Sequence, residues 1–138
     1  MNVNGLEEEM GEASEPDVDA LAKEVVGAAM RVMNGLGVGL PEKHYENALR
    51  IELEESGHRL SQQMRFEVMY RGRTVGTLIP DLIVDDVLIV DPKVVEQIGR
   101  SEIAQMLTYL SITGLPLALL INFKPARITW RIVHPPRR

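Results

Sequence analysis

The segment Leu117–Phe123 constrains the fold more than any other, because every residue in it except Asn122 is apolar. A run this short and this apolar is typical of a β-strand that is buried on both faces of a sheet. It follows a helical pattern over Gln97–Thr113, and Gly114 separates the two segments. A helix that leads into a buried strand indicates a crossover connection, so the sequence predicts the α/β class.

The remaining pattern predicts one domain with the element order α-α-β-β-β-α-β-β. Two helices come first, over Val18–Met33 and from Pro41 onwards, and a glycine-rich loop separates them. The other predicted strands cover Met64–Tyr70, Thr74–Val84, Val87–Lys93 and, at a sheet edge, Arg127–Val133. We therefore expect an α/β sandwich in which helices flank a central mixed sheet of about five strands.

Composition excludes several classes of protein. The chain has 138 residues and no cysteine, which rules out a disulfide framework and a cysteine-rich zinc site. None of its apolar runs approaches the roughly 20 residues that a membrane-spanning helix needs. The first 17 residues are acidic and contain no basic, apolar leader, so we expect a cytoplasmic protein without a membrane partner.

Charge is distributed unevenly along the chain. The formal net charge is −5, but residues 1–20 hold seven carboxylates and no base, which leaves +2 for the rest. We expect residues 1–17 to be an acidic disordered tail, residues 18–134 to be the folded domain, and residues 135–138 to be a basic tail. A mildly basic domain is compatible with nucleic acid as a partner.

Three polar residues stand at the ends of two apolar strands. Asp81 follows Pro80, and Asp91-Pro92-Lys93 ends the next strand. Carboxylates are the hard ligands that Mg²⁺ prefers, and a lysine beside them can orient water and offset charge on a phosphate. Side chains alternate along a strand, so Asp81 joins the other two only if a three-residue loop, Asp85–Val87, pairs it with Asp91 or a bulge shifts the register. This condition separates a metal-dependent nuclease from a chance arrangement of common residues.

Two polar pairs lie at helical spacing elsewhere in the chain. Glu42 and Tyr45 share a stripe of the second helix, and Gln105 and Tyr109 share a stripe of the third. An acid in a first helical turn is also favoured by the helix dipole, and the second pair also fits a rim beside the core. Spacing alone leaves both interpretations of each pair open.

Taken in order, these motifs resemble a known family. Gly39-x-x-Glu42-x-x-Tyr45, then Asp81, Asp91-x-Lys93 and Gln105-x-x-x-Tyr109, are similar to the GxxExxY proteins of the PD-(D/E)XK nuclease superfamily. The similarity spans roughly Val18–Val133. It implies a restriction-endonuclease-like fold, a nuclease and Mg²⁺ or Mn²⁺ as the cofactor. We expect DNA as the substrate, with RNA as the second possibility.

The resemblance also implies a metal site. Asp81 and Asp91 would bind the metal with the backbone carbonyl of Pro92, and Glu42 would complete the site directly or through water. The family usually has Glu-Leu-Lys where this chain has Asp-Pro-Lys. Proline removes a strand N–H and is normally tolerated only at an edge or a bulge, although its carbonyl remains available to a metal, so Pro92 leaves the register of this strand open.

The remaining site residues concern catalysis and the substrate. The resemblance implies that Lys93 is the catalytic lysine and that Gln105 and Tyr109 assist it. We expect Tyr45, Arg127 and Arg131 to contact the nucleic acid.

Two alternatives to a nuclease remain open at this point. A catalytically degenerate nuclease fold would bind nucleic acid or protein without cutting, and a plain structural domain would place Asp81 and Asp91 on opposite faces of the sheet. Because so small a chain rarely encloses a duplex alone, a homodimer or a larger protein partner is expected in either nuclease-fold case.

Overall fold

The computed structural model describes residues 17–136. The predicted acidic tail before Asp17 and the last two residues of the predicted basic tail lie outside the described residues. The helices of the described part are α1 (Val18–Leu36), α2 (Glu42–Glu55) and α3 (Arg100–Thr113). Its strands are β1 (Leu60–Gln62), β2 (Phe66–Tyr70), β3 (Arg73–Leu78), β4 (Leu82–Val84), β5 (Leu88–Lys93), β6 (Leu117–Asn122) and β7 (Thr129–Val133).

Five of these strands form the central sheet, in the order β1-β4-β5-β6-β7. The pair β5–β6 is parallel and the other pairs are antiparallel, so the sheet is mixed, and α3 is the crossover between the parallel strands. Helices α1 and α2 pack on one face of the sheet, and α3 packs on the other. The predicted α/β sandwich with a five-stranded mixed sheet is confirmed. Between residues 17 and 136, no helix has the length and apolarity that crossing a bilayer requires.

The three consecutive strands predicted before the crossover helix do not all belong to the central sheet. The segment predicted as one strand over Thr74–Val84 is divided near Pro80, which has no N–H to donate to a ladder, into β3 and β4. Strands β2 and β3 form a separate two-stranded sheet with a bulge after Val68, and the unpredicted β1 takes their place beside β4. The hairpin of β2 and β3 is therefore an arm beside the central sheet.

Helix boundaries differ from the predicted ones where a cap decides them. Asp17, predicted to belong to the tail, caps α1, since its Oδ1 accepts hydrogen bonds from the N–H groups of Asp19 and Ala20, both at 3.1 Å. Helix α3 begins at Arg100, because the Gly99 N–H donates to Glu102 Oε1 at 2.7 Å and fixes the first turn there. Pro41 precedes the first turn of α2 as its N-cap residue.

Candidate active site

The connection between β4 and β5 decides whether the two aspartates meet. Leu82 pairs with Val90 and Val84 with Leu88, which leaves the three-residue loop Asp85–Val87. The same register carried one step further sets Asp81 opposite Asp91. The loop length required by the nuclease interpretation is thus confirmed, and the prediction of a plain domain with the aspartates on opposite faces is wrong.

Asp91 is the most perturbed group of the site. Its side chain is buried, with 3% of the residue exposed, and its Oδ1 has no hydrogen-bond partner among the described residues. Burial, together with the hydrogen bond and charge of Asp81, raises the pKa of Asp91 to about 8, and Lys93 offsets only part of this effect. A buried oxygen without a partner costs free energy, and a bound cation would remove that cost.

Lys93 connects the aspartates to α3. Its Nζ lies 3.4 Å from Asp91 Oδ2 and donates a hydrogen bond to Gln105 Oε1 at 3.1 Å. Gln105 Nε2 in turn donates to the Tyr109 hydroxyl at 3.2 Å. Burial acts to lower the pKa of Lys93, but the charges of Asp91 and Glu42 outweigh it and raise this pKa. The structure therefore links Asp91 and Lys93 of β5 to Gln105 and Tyr109 of α3 through one chain of polar contacts.

Pro92 lies in the central strand β5, where a proline is unusual, and the register of that strand is nevertheless regular. The Lys93 C=O accepts a hydrogen bond from the Phe123 N–H at 2.8 Å, so the backbone polar groups of Lys93 point towards β6. Because these groups alternate in direction along a strand, those of Pro92 point towards β4. Strand β4 has ended before that point, since its last pair is Leu82 with Val90. The missing N–H therefore breaks no ladder bond, and the Pro92 carbonyl points to the side where Asp81 stands.

Glu42 reaches the end of β5 from the other face of the sheet. Its Oε1 accepts a hydrogen bond from the Val94 N–H at 3.2 Å. Next to it, Asn122 holds Val95 by accepting from its N–H at 3.2 Å and donating to its C=O at 2.8 Å. In residues 17–136, no three Asp, Glu or His side chains are grouped so as to hold a metal ion. Glu42 thus stands beside the aspartate pair without forming a three-acid cluster with it.

Tyr45 corrects one of the predicted substrate contacts. Its side chain is fully buried and stacks on Phe123, with ring centroids 4.7 Å apart. The hydroxyl donates to Gly37 C=O at 2.6 Å and accepts from the Leu40 N–H at 3.2 Å. A side chain enclosed in this way cannot touch a polymer, so Tyr45 packs the core and holds the loop between α1 and α2.

The two predicted arginine contacts are separated. Arg131 pairs with Leu120, which pairs with Asp91, so cross-strand pairing places Arg131 on the face that carries the aspartates, two strands away. Arg127 instead lines a cavity of about 500 Å³ with Met30 and Met33 of α1, on the opposite side of the sheet. Of these two arginines, Arg131 is the one that shares the sheet face of the aspartates.

Two contributors were missed by the sequence analysis. Gln63 donates from Nε2 to Asp81 Oδ1 at 3.3 Å and to Glu46 Oε2 at 2.9 Å, and its N–H donates to Asp81 C=O at 3.0 Å. Glu46 is a buried carboxylate that also accepts from Lys43 at 3.1 Å and Gln62 at 2.7 Å. A charged residue on the inward stripe of α2, one position after Tyr45, was the available signal for Glu46. Nothing local distinguishes Gln63.

Comparison with known proteins places the chain by sequence. The family described as the PD-(D/E)XK nuclease superfamily matches residues 19–133. Among solved structures, the chain is similar to the crystal structure of an alkaline exonuclease from Laribacter hongkongensis, with 16% identity and a TM-score of 0.48, over 78% of this chain and 76% of that chain. No curated protein sequence matches the chain. The family match includes both aspartates, Lys93, Gln105 and Tyr109.

Proposed function

The chain belongs to the PD-(D/E)XK nuclease superfamily, and on that premise we propose that it is a metal-dependent nuclease that hydrolyses phosphodiester bonds of DNA. The observation that carries this proposal is the carboxylate pair of the half-buried Asp81 and the buried Asp91 beside Lys93. Two acids that face each other with an unpartnered oxygen are costly in a metal-free protein, and such a cost is typical of a site built for a cation.

The donor set fits Mg²⁺ or Mn²⁺. Asp81, Asp91 and the carbonyl of Pro92 offer hard oxygen donors, and Mg²⁺ is commonly held by one or two carboxylates while water fills its other positions. When bound, such an ion supplies polarisation of the phosphate and a lower pKa for an attacking water. The absence of a third acid from this group, within residues 17–136, is therefore compatible with metal binding.

Lys93 supplies the positive charge of the site. Its Nζ is held between Asp91 Oδ2 at 3.4 Å and Gln105 Oε1 at 3.1 Å. A cation kept in that position can orient a water and offset the negative charge that develops on the phosphate. The hydrogen bond from Gln105 to Tyr109 restricts the side chain of Gln105 and thereby the position of Lys93.

We also place the chain among the GxxExxY proteins, on the order Gly39, Glu42 and Tyr45. In this proposal Glu42 completes the site indirectly, by holding the Val94 N–H and, through water, the ion. A second copy of the chain or a larger protein partner would enclose a duplex that 138 residues cannot surround.

The test is hydrolysis of labelled oligonucleotides. Single-stranded, linear duplex, circular and branched DNA, and RNA, are incubated with Mg²⁺ or Mn²⁺. We expect cleavage of DNA, and a loss of at least about 100-fold in Asp81→Ala and in Lys93→Met. Inactivity of a pure, folded preparation on every substrate would refute the nuclease.

Calorimetric titration with Mn²⁺ then separates the remaining possibilities. Mn²⁺ binding that Asp91→Asn abolishes, without hydrolysis of any substrate, would favour a metal-binding site that lacks catalysis. A degenerate nuclease fold serving only as a binding module has a specific observation in its favour, since residues 17–136 bring no third acid into a cluster with the aspartate pair. It predicts neither Mn²⁺ binding nor cleavage.

A further inference from the structure

The hairpin of β2 and β3 is the part of the described chain that the proposed function leaves without a role. It forms a two-stranded sheet of its own beside the central sheet. Its outer part exposes large apolar side chains, with 54% of Met69, 60% of Tyr70 and 62% of Val75 accessible to solvent. Exposed apolar residues grouped on one projection commonly mark a surface that contacts a partner.

The base of the hairpin is attached to the candidate active site. The chain enters the hairpin after Gln63, which donates hydrogen bonds to Asp81, and it leaves the hairpin shortly before Asp81 itself. Phe66, the first residue of β2, packs against the cluster that α3 forms with the aspartate-bearing face of the sheet. The hairpin therefore rises on the side of the sheet where a substrate of the site would lie.

The tip of the hairpin is basic and aromatic. Arg71 and Gly72 form the turn with φ of 50° and 77°, and the Arg71 guanidinium carbon lies 5.3 Å from the centre of the Tyr70 ring. Tyr70 pairs with Arg73 across the two strands. Residues 65–78 hold three arginines and one glutamate, a net charge of +2. None of these arginines forms an ion pair with another residue of the described part.

From this placement we propose that the hairpin is a nucleic-acid-binding arm of the protein, with Arg71 and Arg73 on phosphates and Tyr70 against a base or sugar. The proposal rests on the proposed function for the identity of the partner, the DNA held by the adjoining site. Arginines without an acidic partner beside an exposed aromatic ring have the chemistry that binds a polyanion with stacking bases. A two-stranded ribbon also has the width that the major groove of duplex DNA admits.

The reach of the hairpin sets the scale of the contact. Five residues of β2, at about 3.4 Å each, extend roughly 17 Å from the base. Successive nucleotides of one strand of B-DNA are about 3.4 Å apart along the helix axis. This reach is an upper limit, so we expect the tip to contact the substrate within about five nucleotides of the phosphate at the aspartates.

The test measures binding in metal-free buffer, where no hydrolysis occurs. Fluorescence anisotropy with a labelled 20-mer, as single strand and as duplex, is recorded between 50 and 200 mM salt for wild type and for the double variant Arg71→Ala/Arg73→Ala. We expect affinity to fall about tenfold or more, and the slope of log affinity against log salt to become shallower by about 1.4 for the single strand or about 1.8 for the duplex.

Three further variants serve as controls. Lys23→Ala/Arg31→Ala removes the same charge from exposed positions of α1, on the other face of the sheet, and should leave the slope unchanged. Arg71→Lys/Arg73→Lys keeps the charge and should retain the slope. Tyr70→Ala should weaken single-strand binding at least about fivefold, whereas Tyr70→Phe should not. Circular dichroism melts confirm that each variant is folded.

The outcomes separate this inference from the proposed function. Equal losses in the tip variant and the α1 control would overturn the inference, because the effect would then be one of net charge. Unchanged binding, or unchanged kcat/KM for hydrolysis by the tip variant, would also overturn it and leave the nuclease intact. If the tip variant loses binding while the wild-type protein cleaves no substrate, the arm would be upheld and the nuclease refuted.

Discussion

The hairpin of β4 and β5 carries a pair of aspartates at each end, Asp85 and Asp86 at the loop and Asp81 and Asp91 at the open end. The two pairs differ in their burial and in their hydrogen-bond partners. At the loop end, Asp85 accepts a hydrogen bond from the Arg59 N–H at 2.8 Å and lies 2.7 Å from His58 Nδ1. Asp86 pairs with the Arg59 side chain. Partial burial acts to raise the pKa of Asp85, but Arg59 and His58 outweigh it and lower this pKa.

At the other end, the aspartates have each other as neighbours. Asp91 is more deeply buried than Asp85, its Oδ1 has no hydrogen-bond partner in the described part of the chain, and its pKa is raised to about 8. The same residue type therefore stabilises the fold at one end of a hairpin and costs stability at the other. Lys93 contacts only Oδ2 of Asp91, so Oδ1 keeps the unpartnered position on which the proposed metal site rests, whereas Asp85 and Asp86 already have His58 and Arg59 as partners.

The largest expected difference between the two ends is in catalysis. Asp91→Asn should lower the rate of DNA hydrolysis at least about 100-fold, because it removes the charge that would hold the proposed metal ion. Asp85→Asn should leave the rate within about threefold of wild type, since it stands at the far end of the hairpin. Initial rates with Mg²⁺ measure both, and a comparable loss in both variants would contradict the comparison.

Metal binding should distinguish the ends next. Mn²⁺ at 100 times its dissociation constant should stabilise wild type by about 2.7 kcal/mol, as ligand that binds only the folded state does. The increase should disappear in Asp91→Asn and persist in Asp85→Asn. Thermal melts with and without Mn²⁺ provide the measurement, and a retained increase in Asp91→Asn would show that the ion binds elsewhere.

The metal-free protein should lose stability as pH rises at the Asp91 end. Because the folded pKa of about 8 lies above the unfolded value near 3.8, the folded state retains a proton that the unfolded state releases. The free energy of unfolding should therefore fall between about pH 4 and pH 8, by a few kcal/mol at most. Asp91→Asn should flatten this dependence and be more stable than wild type at pH 8, which urea melts at several pH values would show.

The loop end should show a smaller pH dependence that depends on His58. Burial acts to lower the pKa of His58, but Asp85 and Glu24 outweigh it and raise this pKa above 6.5. The stability from this cluster is fully present below pH 6.5 and is lost as pH rises through the raised pKa. His58→Gln should remove a change of less than about 1 kcal/mol over that window, and urea melts of this variant beside Asp85→Asn check it. A pH-dependent change in the free energy of unfolding that is larger for His58 than for Asp91 would contradict the comparison.

Local pattern determined most of the elements. The helical stripes of α1, α2 and α3, the apolar run of β6 and the edge strand β7 all follow from periodicity over a few turns or residues. The alternation of a strand likewise placed Asp91 and Lys93 on one face. These features depend on backbone geometry that neighbouring residues set among themselves, so one sequence is sufficient to predict them.

Contacts between distant segments decided the rest. Asp81 meets Asp91 because Asp85 and Asp86 adopt positive φ in a three-residue loop, and aspartate tolerates that conformation without requiring it. The position of Tyr45 along α2 fits a substrate contact and a core residue equally well. Its role as a core residue becomes clear only from its stacking on Phe123, which is distant in sequence.

The burial of Asp91 is likewise a product of the whole fold. The raised pKa and the unpartnered oxygen of this residue arise from the packing of α3 and of the neighbouring strands around it. Sequence determined which residues are available for chemistry and which of them share a strand face. The tertiary structure decided which of them are deprived of water and of partners, because burial depends on every element that packs around a site.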